Sequence, residues 1–250
     1  MKFVRFMYDN KVCEGILFND KIKKIDSATG KLNISLEYSV DQVDFLPTSN
    51  PSKIVCIGEN YKEHIEEMGS EVADEPVIFM KPSSSVIAHG DSIVIPEESE
   101  RVDYEAELGV VIGSVCKNVS KEDAKNYIMG YTCLNDVTAR DIQQRESQWI
   151  RAKGYDTFCP VGPCLETDID PLSLDIKLYV NGELKQSSNT KNMMRDVYTL
   201  VSYISKIMTL YPGDIIATGT PKGVGRLMDG DMVTVEIEGI GKLTNYVIRE

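Results

Sequence analysis

The sequence predicts a strand-rich α+β protein, and three observations carry that reading. The stretch DIKLYVNGELKQ at 175–186 alternates apolar and polar residues around Asn181-Gly182, a pair suited to the two positive-φ positions of a type I′ hairpin turn. Short apolar runs divided by turn residues recur along the chain, and only 196–208 keeps helical spacing for several turns. Strands and long helices do not alternate regularly, as a doubly wound parallel sheet requires.

From the amino end, 2–8, 12–18 and 21–25 read as strands separated by the turn pairs Asp9-Asn10 and Asn19-Asp20. PTSNPS at 47–52 interrupts the pattern, so a boundary is expected between a small N-terminal β lobe, residues 1–50, and a main domain, residues 51–250. An apolar strand at 53–57 runs into GENYKEHIEEMG, a loop with a short helical turn closed by Gly69. PVIFMKP, DSIVIP and DYEAELGVVIG follow as strands. Ser120 ahead of Glu122, Asp123 and Ala124 marks a helix start with a serine N-cap. YIMGYTCLND at 127–136 reads as a strand and 137–149 as helix. Val197, Leu200, Val201, Ile204 and Met208 share one helical face, and that helix stops before Tyr211-Pro212-Gly213. The end of the chain alternates like a final strand pair around 239–241, and no internal repeat is visible.

Composition narrows the function. The 250 residues carry a formal net charge of -12 and a sequence pI near 4.8. Nucleic acid and anionic membranes need a basic footprint, so neither is an expected partner. Lys21, Lys23 and Lys24 form the one short basic cluster, which reads as a solvated strand or turn. MKFVRFMYDN offers no apolar signal-peptide core, no stretch approaches the ~20 apolar residues of a spanning helix, and a cytoplasmic location is expected. The six cysteines form no C-x-x-C pair and sit in apolar runs, which suits buried free thiols. Two histidines in the whole chain exclude a zinc site built on several His ligands. Any metal would be held mainly by carboxylates, which favours Mg²⁺, Mn²⁺ or Ca²⁺.

Asp103 to Ile112 is the most informative segment. In a strand, Tyr104, Ala106, Leu108, Val110 and Ile112 point one way, and Glu105 and Glu107 the other, their Cα atoms ~7 Å apart by strand rise. Two carboxylates on one face repel each other unless that face is solvated or a cation lies between them. Asp136 stands where the 127–136 strand gives way to the expected helix. It suits an N-cap, and equally a third carboxylate ligand that leaves positions open for a chelating substrate.

At these residues the chain resembles the fumarylacetoacetate hydrolase family. The motifs IGENYKEHIEEMG, PVIFMKPSSSVIAHGDSIVIP, DYEAELGVVIG, GYTCLNDVTARDIQ, WIRAKGYDTFCPVGP and ATGTPKGVG appear in the family's order over roughly residues 54–225. The resemblance implies a mixed β-roll with a small N-terminal β lobe, a homodimer, and Mg²⁺ (or Mn²⁺ or Ca²⁺) held by Glu105, Glu107 and Asp136. It also implies a small 2-oxo acid substrate and a catalytic set of His64, Glu67 and Lys153. His64 and Glu67, three residues apart on one helical face, look like the family's lid dyad, in which Glu orients the His that handles a proton; without that resemblance, His64 reads as a surface histidine on a charged turn. Arg140, Gln143, Lys81 and Thr220 look like groups around the substrate, although Arg140 also suits an ion pair and the loop at Thr220 a tight turn. That loop lacks the G-K-[ST] ending of a P-loop.

Two positions depart from the family pattern: Glu59, where many relatives carry an uncharged or basic residue, and Cys159, where a small residue is frequent. The implied reaction is hydrolysis of a C–C bond in an acylpyruvate-like acid through an enolate. The alternatives are isomerisation or decarboxylation of hydroxyheptadienedioate or oxaloacetate type, and a non-catalytic metal-binding protein. The last has no need of a His64–Glu67 pair or of Lys153. The segment 60–69 is expected to close over substrate as a lid.

Overall fold

The computed structural model describes residues 1–26, 29, 31–69 and 71–250. Its strands in the first half are β1 (Lys2–Tyr8), β2 (Lys11–Phe18), β3 (Lys21–Ile25), β4 (Leu32–Ser39), β5 (Asp44–Leu46), β6 (Ile54–Gly58), β7 (Val77–Lys81), β8 (Val86–Ile87), β9 (Ser92–Ile95), β10 (Val102–Tyr104) and β11 (Ala106–Ile112). The second half adds β12 (Ile128–Asn135), β13 (Thr138–Ala139), β14 (Cys159–Glu166), β15 (Asp175–Val180), β16 (Glu183–Asn189), β17 (Ile215–Ala217), β18 (Gly225–Arg226), β19 (Met232–Ile237) and β20 (Gly241–Arg249). The α-helices are α1 (Lys62–Met68), α2 (Arg140–Arg145), α3 (Ile150–Lys153) and α4 (Val197–Ile207). This is the strand-rich α+β class that the alternation and turn residues predict.

A twelve-stranded sheet runs β4-β3-β2-β1-β14-β12-β11-β17-β6-β7, with β5 also on β1 and β8 on β14. A five-stranded sheet, β16-β15-β19-β20-β9, packs against its middle. Leu108 and Val110 of β11, Cys133 of β12, and Ile176, Leu178, Val235 and Leu243 share the core between the two sheets. The alternate residues Val111 and Leu134 pack the other way, with Ile54, Cys56, Val161 and Ile215. Both faces of the central strands are therefore buried, which is why β11 reads as a near-continuous apolar run. The first strands continue the large sheet, because Lys2 and Phe3 pair with Glu166 and Leu165. The 47–53 connection is pinned by Asp214, whose carboxylate accepts the Ser52 N–H at 2.9 Å and the Ser52 hydroxyl at 2.7 Å.

The hairpin forms as its turn residues dictate: Val180 pairs with Glu183, and Asn181 and Gly182 take φ values of 52° and 81°. Helix α4 begins at the N-cap Asp196, whose side chain accepts the Thr199 N–H at 2.8 Å, and it buries Val197, Leu200, Val201 and Ile204. All six cysteines are buried free thiols.

Two expected helices are cut short. After Ser120 only a 3-10 turn forms, at Ala124–Tyr127, because the chain enters β12 at Ile128. Within 137–149, Thr138 and Ala139 pair with β10 before α2 starts, and Glu146 leaves the helix in an extended conformation. The 103–112 run is likewise two strands and not one. It breaks at Glu105, where the chain passes from the three-stranded sheet β13-β10-β18 into the large sheet.

Candidate active site

The break at Glu105 shapes the site. Ala106 of β11 pairs with Asn135 of β12, so Asp136, the next residue, falls beside Glu105 and Glu107. The Asp136 N–H donates to the Glu105 carbonyl at 2.9 Å, and the Asn135 side-chain oxygen accepts the Glu105 N–H at 2.9 Å. One carboxylate oxygen from each of Glu105, Glu107 and Asp136 can be chosen so that all three lie within 4.8 Å of one another. All three side chains are buried. Asp136 is not a helix cap, since the N-cap of α2 is Ala139 and the Asp136 carboxylate is taken up by two lysines.

Buried cations surround the acids. Lys153, at the end of α3, donates to Glu105 at 2.8 Å and to Asp136 at 2.7 Å. Lys81 donates to the other oxygen of Asp136 and, at 2.9 Å, to the Val137 carbonyl. It stands behind Asp136 and does not line the cleft. Arg140 bonds Glu105, donates to Asp103 at 2.9 Å and to the Gln143 side-chain oxygen at 2.6 Å. Asp103 is fully buried and also takes Arg101 through two bonds of 2.9 and 3.0 Å.

The electrostatics follow from these pairings. Burial pushes the Glu105 carboxyl up, but Lys153, then Arg140 and His64, outweigh it and hold it well below the carboxylate range. Glu107 goes the other way: burial first, then the charges of Asp136 and Glu105, push it well above that range. Among the described residues its carboxylate has one hydrogen bond, from the Gly219 N–H at 2.8 Å. Burial alone would lower Lys153, yet Asp136 and Glu105 raise it. The donor set fits a hard divalent cation, offering three oxygens and no soft ligand, and a cation among them would relieve the repulsion that Glu107 carries.

His64 reaches this site from α1. Strand β6 ends at Gly58, Glu59 turns with φ 58°, and Asn60 clamps the turn. The Asn60 amide donates to the carbonyls of Thr218 at 2.8 Å and Arg195 at 3.0 Å, and its oxygen accepts the Arg195 N–H at 3.0 Å. Helix α1 then runs to Gly69 in the left-handed region, φ 70°. His64 is buried, 6% exposed, with Nδ1 3.1 Å from Glu67 Oε2. Glu67 also accepts the Gly223 N–H at 3.0 Å, so the dyad is seated on the glycine-rich loop. Gly219 of that loop has φ 94°, and a Cβ there would lie 2.8 Å from the Asn60 Cβ, so the close approach requires glycine.

These residues enclose a cleft of about 190 Å³. Eight of the ten sequence-predicted residues line it, His64, Glu105, Glu107, Asp136, Arg140, Gln143, Lys153 and Thr220; Glu67 joins through His64, and Lys81 stands behind the wall. Thr220 is held by the Gln186 amide, which donates to its hydroxyl at 2.9 Å. One side is aromatic: Phe79 and Trp149 meet edge to face at 5.3 Å, and Trp149 packs so close to Gly58 that a Cβ there would lie 3.1 Å from the indole.

Sequence reasoning missed Asp103, Gln186 and this aromatic wall. Asp103 was within reach, since it precedes Glu105 at the same alternate spacing as Glu105 precedes Glu107. The Phe79–Trp149 contact joins residues 70 positions apart, and no local pattern announces it. Tyr61 was missed too. Its hydroxyl is buried without a partner among the described residues, and burial, then Glu107, push its pKa up, so it remains a donor.

Known proteins resemble this chain in sequence and in fold. The chain is 47% identical over 214 residues to the mitochondrial oxaloacetate tautomerase of Xenopus laevis, covering 81% of this chain and 67% of that one. The solved structure of 2-hydroxyhepta-2,4-diene-1,7-dioate isomerase from Mycobacterium marinum superposes with a TM-score of 0.92 at 40% identity, over 100% of this chain and 99% of that one. Maleylpyruvate hydrolase from a Sphingobium species, solved with manganese(II) and pyruvate, superposes with a TM-score of 0.85 at 31% identity, over 100% and 99% of the two chains. Residues 53–248 match the family described as Fumarylacetoacetate (FAA) hydrolase C-terminal, and the chain belongs to the fumarylacetoacetate hydrolase family.

Proposed function

We propose that this protein is a divalent-cation-dependent hydrolase that cleaves a C–C bond of an acylpyruvate-like 2-oxo acid. The observation that carries the reading is buried His64, held by Glu67 at 3.1 Å, which lines the same cleft as the three carboxylates. Glu105, Glu107 and Asp136 would hold Mg²⁺, Mn²⁺ or Ca²⁺, and such a cation, when bound, polarises the oxygens of a chelating 2-oxo acid.

The chain's own groups do the proton work. Glu67 accepts the Nδ1–H of His64, which leaves Nε2 as the base. Nε2 takes a proton from water, and the water oxygen bonds to the acyl carbon. The bond from that carbon to C3 breaks, its electron pair passes to C3, and the imidazolium returns the proton there. The products are a carboxylic acid and pyruvate. Lys153 and Arg140 supply positive charge beside the developing enolate, and Gln143 and Thr220 offer polar groups to the substrate.

A second reading, proton transfer without water attack, is favoured by the Xenopus tautomerase and the Mycobacterium isomerase among the similar proteins. One panel separates the two. An acylpyruvate, oxaloacetate and hydroxyheptadienedioate are assayed with Mg²⁺ and after chelation. Release of acid and pyruvate from the acylpyruvate, abolished by chelation, supports hydrolysis. Interconversion of oxaloacetate or hydroxyheptadienedioate forms with the acylpyruvate left intact replaces it with the second reading.

A further inference from the structure

We propose that Glu59 is a specificity residue that restricts this cleft to 2-oxo acids with an uncharged distal arm and rejects those bearing a second carboxylate. The inference rests on the 2-oxo acid reading above and names the class of substrate within it.

Glu59 lines the cleft between the end of β6 and the start of α1. It holds φ 58°, a region that a glutamate rarely occupies, and the Asn60 clamp on Thr218 and Arg195 fixes the turn in place. Backbone strain of this kind persists where the surroundings impose it, and here it keeps Glu59 in the cleft wall.

The charges in the cleft are unequal. Four carboxylates line it, Glu59, Glu105, Glu107 and Asp136, against two cationic side chains, Arg140 and Lys153. Both cations are already engaged: Arg140 with Asp103 and Glu105, Lys153 with Glu105 and Asp136. The three inner acids lie close enough together to share one cation, and Glu59 stands outside that cluster. A chelating 2-oxo acid brings its first carboxylate to the shared cation. A second carboxylate further along the substrate would find no unpaired cation among the described lining residues and would meet the charge of Glu59. An apolar arm finds Phe79 and Trp149 instead, with Met68 and Ile57 beside them.

The test uses two ligands of matched shape on the manganese-loaded protein, by calorimetric titration. 2-Oxoglutarate carries a distal carboxylate; 5-methyl-2-oxohexanoate carries two methyl groups in place of its oxygens. In the wild type the uncharged acid should bind at least about tenfold more tightly, the order expected for one like-charge encounter in a partly screened cleft. Glu59→Gln should shrink that ratio roughly fivefold, and Glu59→Lys should reverse it, since the sign of the charge is reversed. Melting curves of both variants confirm that the fold is retained.

Equal or tighter binding of 2-oxoglutarate by the wild type overturns the inference, as does a ratio unmoved in both variants. Binding of neither acid removes the 2-oxo acid reading itself and the inference with it, an outcome distinct from the others.

Discussion

The carboxylate of Glu67 accepts the backbone N–H of Gly223 at 3.0 Å while its Oε2 lies 3.1 Å from Nδ1 of His64. One side chain thus both orients the histidine and latches α1 onto the glycine-rich loop. Glu67→Ala should therefore loosen the helix as well as impair the base. Hydrogen exchange with Mg²⁺ and oxalate should show the amides of 62–68 and of Gly223 gaining protection in the wild type and not in Glu67→Ala. Identical protection in both proteins would mean that the latch does not hold the helix.

Glu107 is the carboxylate whose burial is least compensated, with one N–H from Gly219 against the charges of Asp136 and Glu105. Its replacement should separate metal affinity from fold stability. Loss of groups behind a ligand lowers metal affinity by about 10–100-fold, so Glu107→Gln, which alters a ligand itself, should exceed that range in manganese titrations. The metal-free variant should melt no lower than the metal-free wild type, because it removes a carboxyl whose charged form burial and the neighbouring acids disfavour. In the wild type, manganese at a hundred times its dissociation constant should add about 2.7 kcal/mol of stability, and in the variant almost none.

Much of this site was legible before any coordinates. The alternation of Glu105 and Glu107, the placement of Asp136 at a strand end, and the i,i+3 spacing of His64 and Glu67 are local patterns, and local patterns survive folding. The Asn181-Gly182 turn and the apolar face of α4 were legible for the same reason. Arg140 shows where the sequence ran out. It could be read as an ion-pair partner or as a substrate group, and the structure gives it Asp103, 37 residues away, and Glu105 together. The helix expected over 137–149 failed because pairing of Thr138 and Ala139 with β10 overrides local propensity. Sheet partners distant in sequence also decided that 103–112 would break at Glu105.

Asp214 gives the fold a pH dependence away from the cleft. It is fully buried and accepts the Ser52 N–H and hydroxyl at 2.9 and 2.7 Å and the Tyr211 N–H at 2.8 Å, beside the Lys53 ammonium. Burial pushes its carboxyl up, but the bonds from Lys53, Ser52 and Tyr211 outweigh that and hold it below the usual aspartate value. A depressed carboxyl contributes stability above its unfolded pKa and loses it as pH falls through the folded value. Asp214→Asn should therefore cost about 1–3 kcal/mol near neutrality, by leaving buried donors poorly met. Denaturant titrations from pH 7 downward should show the gap between the two proteins narrowing below the ordinary carboxylate range. A gap that widens in acid would contradict the assignment.

The division of labour between His64 and the carboxylates separates hydrolysis from simpler proton chemistry. Water attack on an acyl carbon needs a base, and loss of one general base lowers a rate by about 10²–10⁴-fold. His64→Ala should depress acylpyruvate hydrolysis by that order. It should leave manganese affinity close to wild type, because the ring contributes no oxygen to the triad of Glu105, Glu107 and Asp136. Decarboxylation of oxaloacetate, a weak substrate where Glu59 repels its second carboxylate, depends chiefly on stabilising an enolate, with Lys153 and Arg140 beside the site, so it should fall less in the same variant. Glu107→Ala should abolish both reactions. If His64→Ala hydrolysed acylpyruvates at the wild-type rate while Glu107→Ala did not, the histidine would be a cover over the cleft and the proton would be taken by another group.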